Sequence, residues 1–122
     1  MVESYRDLDV WKRAMTLAKE AYRLTTSLPK EELYGLISQI RRAASSIPAN
    51  IAEGWGRKYP AEFIQFLRKA NGSRTELETH LLLAAEIQLC RMEQIDLLLR
   101  ELEILGKQIL SLERSLARRT KT

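Results

Sequence analysis

The chain has 122 residues, 45% of them hydrophobic and 30% charged, with a formal net charge of +4. That length suits one domain, residues 1–122, able to bury roughly two-thirds of its unfolded surface. No apolar run approaches the ~18 residues that span a bilayer, and the opening "MVESYRDLDVWKRAM" carries charges where a secretion signal needs an apolar stretch. The expected location is the cytoplasm, which agrees with a single cysteine, Cys90, that can make no internal disulfide. Leu, Ala, Glu, Arg and Lys dominate while Gly and Pro are scarce, a composition that favours helices.

Apolar residues recur in steps of three and four along four successive segments, and none shows the two-residue alternation of a strand. Helix 1, roughly 9–27, carries Val10, Ala14, Leu17, Ala21, Leu24 and Leu28. "SLPKEE" breaks it, with Pro29 and acidic residues suited to a helix start. Helix 2, roughly 31–55, carries Leu33, Ile37, Ile40, Ala44, Ile47 and Ile51. "GWGRKYP" follows, and Pro60 fits the first turn of helix 3, roughly 60–89, with Phe63, Phe66, Ala70, Ser73, Leu77, His80, Ala84 and Ile87. "LCRMEQ" is a weaker break before helix 4, roughly 93–118, with Ile95, Leu98, Leu102, Leu105, Ile109, Leu112 and Leu116. Loops this short join antiparallel neighbours, so the expected fold is all-α, an antiparallel up-down-up-down four-helix bundle.

The segment "SIPANIAEGWGR" places Pro48 inside helix 2. Ile47 and Ile51 continue the apolar seam across it without a phase shift, so the reading is a proline-bent helix, not a loop. Ser45 is placed to bond the carbonyl region that Pro48 frees, and Gly54 or Gly56 is placed to end the helix. At 100° per residue Gln39, Arg42, Ser46, Asn50, Glu53 and Arg57 fall on one narrow polar stripe, apart from the apolar one. In helix 3, "ANGSRTE" puts Gly72 and Ser73 mid-helix, where a glycine marks close approach by another backbone. The expectation is a polar network of Asn50, Glu53 and Arg57 with Ser73 to Glu76, within one bundle or between subunits. The plainer alternative is an ordinary wet face.

Catalysis finds little support. The only histidine, His80, lies on the helix 3 seam, and no second ligand stands at metal-binding spacing beyond the Glu76–His80 pair. Cys90 reads as a small apolar filler. No catalytic residue, no metal and no cofactor is expected. Positive charge is concentrated instead: Arg41, Arg42, Arg57, Lys58, Arg68, Lys69 and Arg74 stand against only Glu53 and Glu62 in their window. With Trp55 and Tyr59 interleaved, Arg42, Arg57, Lys58, Arg68, Lys69 and Arg74 form a candidate surface for RNA or DNA, read by charge and stacking rather than by sequence. Equally, Trp55 and Tyr59 suit a subunit contact. Helix 4 carries a second apolar row, Leu97, Leu99, Ile104 and Leu110, and helix 1 adds Trp11, Met15 and Tyr22, a surplus that points to self-association.

"QIRRAASSIPANIAEGWGR" followed by "FIQFLRKANGSRTELE" resembles the four-helix bundle family encoded in intervening sequences of bacterial 23S ribosomal RNA genes. The resemblance runs from "LDVWKRAMTLAKEAYRL" into the Leu-rich last helix, and its motif positions include Gln39, Arg42, Ser46, Asn50, Glu53, Gly54, Arg57, Phe66, Gly72, Ser73 and Glu76. It implies a ring-shaped homopentamer without catalytic residues. A related branch, the accessory variability determinant proteins, accompanies reverse transcriptases in diversity-generating retroelements, which implies RNA, DNA or such an enzyme as a partner.

Overall fold

The 3.6-residue spacing of the apolar positions is realised as four α-helices in a computed structural model that describes residues 2–120. They are α1 (Asp9–Thr25), α2 (Leu36–Gly56), α3 (Pro60–Glu86) and α4 (Met92–Thr120), with short 3-10 turns at Tyr5–Asp7 and Lys30–Glu32. Among the described residues there is no strand, so the fold is all-α, a four-helix bundle. Ile40, Ile47, Ile51, Leu67, Leu77, Leu81, Ile95, Leu102, Leu105 and Ile109 are fully enclosed at its centre.

Pair contacts give the direction of each helix. Arg42 of α2 meets Glu76 of α3, while Gly54 abuts Phe63 and Phe66, so these two helices run antiparallel. Arg68 reaches Glu113 and Arg74 lies against Gly106, which sets α3 antiparallel to α4. Arg41 bonds Thr25 at one end of the α1–α2 pair, and Tyr5, just ahead of α1, packs on Trp55 at the other.

The seams of α1 and α4 lie where their spacing puts them, with Leu24 and Leu112 only partly covered. Helix α2 starts later than the sequence suggests. Residues 30–32 form a 3-10 turn, Leu33 is 46% exposed, and the Glu32 carboxylate accepts the Leu36 amide at 3.2 Å, capping the true start. The stripe of α3 also differs: its buried positions are Phe63, Leu67, Ala70, Leu77, Leu81 and Ala84, whereas Phe66, Ser73 and His80 are half-buried and Ile87 is exposed. The seven-residue spacing of the buried set leaves Arg74 in the seam.

Pro48 sits within an unbroken α2, its ring buried. Ser45 does not bond the carbonyl of Ala44; its hydroxyl donates to Arg42 O at 3.2 Å, as does that of Ser46 at 2.8 Å. The helix ends at Gly56, one of the two glycines expected to end it, but the left-handed position that turns the chain is Lys58, with φ 72°. Helix α3 ends in the same way before Gln88, with φ 65°. A side chain in that region crowds its own carbonyl, so Lys58→Gly is expected to stabilise the fold by up to about 1 kcal/mol, read as a raised urea midpoint.

Candidate functional site

The polar stripe of α2 is built from three unequal parts. Nearest the helix start, Arg42 donates to Gln39 Oε1 at 2.6 Å and to Glu76 Oε2 at 2.9 Å, and His80 Nε2 lies 3.3 Å from the same Glu76 oxygen. Two helices are thus linked by a Gln39–Arg42–Glu76–His80 chain. His80 Nδ1 is buried without a hydrogen-bond partner. In the middle, Ser46 and Asn50 turn back on their own helix, Asn50 Nδ2 donating to Ser46 O at 2.8 Å. At the far end Arg57 pairs with Glu53 at 2.7 Å and approaches Glu62 at 4.0 Å.

Within the chain, Asn50, Glu53 and Arg57 therefore do not meet Ser73 to Glu76. Glu76 takes Arg42, more than two turns nearer the start of α2. The cause is helical register, fixed where α2 and α3 touch most closely. A Cβ on Gly54 would fall 2.6 Å from Phe66 Cβ and 2.9 Å from Phe63 Cδ1, so only glycine lets the helices approach there. Gly72 has no such role within the chain; a Cβ there meets nothing within 4 Å.

The basic residues divide as well. Arg57 and Lys69 flank the Phe66 ring, their cationic centres 4.9 and 4.3 Å from its centroid. The Glu53 hydrogen bond raises the Arg57 guanidinium further above its ordinary range, so its charge is permanent but shared with that carboxylate. Arg68 projects on another face, its Nε 3.5 Å from Glu113. Lys58 and Tyr59 are exposed at the turn, Tyr59 by 68%.

Arg74 is not part of this surface. Its side chain is only 14% exposed, held by Asn71 Oδ1 at 2.8 Å and Glu78 Oε2 at 2.5 Å, and the absence of a side chain at Gly106 makes room for its guanidinium. Trp55 is half-buried against Tyr5, 6.5 Å between ring centroids, and Tyr5 in turn packs edge-on to Trp11 at 5.3 Å. That N-terminal arm was not read from the sequence. Its signal was present: "SYRD" is a capping box, in which Ser4 accepts from the Arg6 amide and the Asp7 carboxylate accepts from the Ser4 amide.

With the fold in view, a family model described as 23S rRNA-intervening sequence protein matches residues 6–111. The chain belongs to that family. The resemblance carried by "SIPANIAEG" and the glycine–serine pair of α3 thus holds over most of the chain. A crystal structure of a protein of unknown function from the S23 ribosomal protein family, from Bacteroides thetaiotaomicron, superposes with a TM-score of 0.79 at 25% identity. The alignment covers 85% of this chain and 97% of that one. No curated protein matches the chain. Neither description names an enzymatic activity.

The remaining chemistry is sparse. Among the described residues no group of three or more His, Cys, Asp or Glu is placed to hold a metal ion, and no helix is long and apolar enough to cross a membrane. Burial pushes the Cys90 thiol above its ordinary pKa, which disfavours the nucleophilic thiolate at neutral pH.

Proposed function

We propose that this protein is a non-enzymatic, self-assembling module of the cytoplasm, a homopentameric ring that holds RNA, DNA or a nucleic-acid enzyme such as a reverse transcriptase. One observation carries the assembly reading: large apolar side chains that a single bundle leaves in water. Tyr34 is 93% exposed and Leu97 69%, and Met15, Tyr22, Leu82, Leu83, Ile87, Ile104 and Leu110 are exposed too. Scattered singly such residues are ordinary, but here they recur on every helix except α2, and burial of contiguous apolar surface is what drives stable association. The number five rests on the family resemblance, since periodicity does not encode it. Light scattering on the purified protein should give about five times the 14.1 kDa chain mass. A single-chain mass overturns the reading.

A second reading, direct binding of RNA or DNA without sequence preference, is supported by the exposed cations Lys58, Arg68 and Lys69 and by the open Tyr59 ring next to Lys58 in the turn. Tyr59 is the better stacking platform, because Trp55 is occupied by Tyr5. Repetition around a ring would multiply a weak patch through avidity. Neutralising Lys58, Arg68 and Lys69 together should abolish measurable affinity for single-stranded RNA at low salt, while the unchanged protein should lose affinity steeply as salt rises. Affinity unaltered by the triple substitution would remove this reading.

A further inference from the structure

The outer faces of α1 and α2 enclose a groove of about 620 Å³. Its wall on α1 is bulky, built by Trp11, Met15 and Tyr22, while its floor on α2 is low, built by Pro48, Ala49 and Ala52. A trough with one tall side and a flat bottom suits an inserted aromatic side chain better than a second smooth helix. Its only charged lining residues are Lys19 and Arg23, both cationic, and Arg23 already pairs with Glu20 at 2.7 Å, which leaves Lys19 as the available charge. Arg41 stands beside the Tyr22 end with its guanidinium 5.1 Å from that ring.

The loop between α1 and α2 has the opposite character. "KEELYG" presents Tyr34, the most exposed large apolar residue described, with Leu33 beside it. Glu31 and Glu32 outnumber Lys30 there, and Glu31 makes the loop's acidic edge because Glu32 caps α2. A tyrosine so fully in water gains by entering an apolar pocket, and tyrosines at such positions are common anchors of protein contacts.

We infer that the α1–α2 groove receives the Tyr34 loop of a second copy of this chain, with Glu31 facing Lys19. The inference rests on the assembly reading and names its contact. Knob and groove lie on different parts of one surface, so each copy donates at one place and receives at another. Exchanged reciprocally, such a contact makes a two-fold pair; made head to tail it propagates and closes into a ring when the rotation allows, which is the arrangement the assembly reading requires.

The test replaces Tyr34 with the photoreactive aromatic p-benzoylphenylalanine in the full chain and irradiates an equal mixture of ordinary and nitrogen-15-labelled protein. The expected product is a two-chain species of mixed label whose adduct lies in the tryptic peptide spanning residues 14–19, which contains Met15. Introducing Ala49→Arg at the exposed floor position should cut that yield at least tenfold and lower the mass by light scattering, with circular dichroism unchanged. Lys19→Glu should weaken assembly, and Glu31→Lys added to it should restore it. Cross-links from position 34 to position 34, to another surface, or to nothing, in a protein that still has a multi-chain mass, overturn this contact and leave the assembly reading standing. A single-chain mass for the unmodified protein overturns both.

Discussion

Gly54→Ala is expected to lower stability by about 2 kcal/mol, or roughly 6–10 °C in the thermal midpoint, although alanine is the better helix former. The added Cβ would fall 2.6 Å from Phe66 Cβ and 2.9 Å from Phe63 Cδ1, with the Phe63 carbonyl oxygen at 3.4 Å. Phe66 Cβ is bonded directly to the backbone and cannot rotate aside, so relief requires α2 and α3 to separate along their contact. Separation loosens Phe63 and Ile51, which pack nearby in the core. The matched comparison is Gly72→Ala, where nothing lies within 4 Å and the helical preference for alanine should raise stability by up to about 1 kcal/mol. Melts of both variants at one fixed protein concentration check the pair of signs. Equal shifts would show that the glycine at position 54 does not set the helix spacing. Loss of assembly in Gly72→Ala, with the fold intact, would place another chain against α3 at that point.

Arg74→Ala is expected to destabilise by about 2 kcal/mol, because it removes a mostly buried guanidinium and leaves Glu78 and Asn71 without their partner. A partly exposed pair yields less than a fully enclosed one, so the figure lies below that for breaking a deep ion pair. The diagnostic comparison involves Gly106. A Cβ at that position would come within 2.6 Å of Arg74 Cζ, so Gly106→Ala alone pushes the guanidinium off its seat. With Arg74 already replaced the obstacle is gone, and the same Gly106→Ala change should recover about 1 kcal/mol through helix propensity. A double-mutant cycle in urea thus predicts strong coupling between positions 74 and 106. Additive effects would show that the two residues do not share the space.

These two sites show what a one-dimensional reading captures. Alternating steps of three and four located all four helices, because burying an apolar stripe is the main force that makes a segment helical in a folded chain. The phase on α3 slipped for an identifiable reason. Phe66, Ser73 and His80 also recur at helical spacing, and the true seam contains Arg74, which no hydrophobic pattern admits. The start of α2 was placed too early because Leu33 extends the apolar period outward, while the cap that begins the helix is made by Glu32, a residue without an N-cap signature.

The candidate site divides along the same line. Which residues carry charge, which are aromatic and which family their order resembles were legible, since each is a property of identity and spacing. Pairing was not: Arg57 is drawn to Glu53 four residues back, Arg68 to Glu113 on a different helix, and Trp55 is covered by Tyr5 from the far end of the chain. By itself the sequence determined an all-helical chain of four amphipathic segments, a local excess of positive charge and membership of a family, because periodicity, composition and motif order survive in one dimension. Only the tertiary structure decided that Gly54 and Gly106 are the close-packed glycines, that Arg74 lies largely buried in the α3 seam, and that α1 and α2 leave an apolar groove with a cationic rim. Each depends on the register between helices distant in sequence, which is fixed by contacts that no single segment contains.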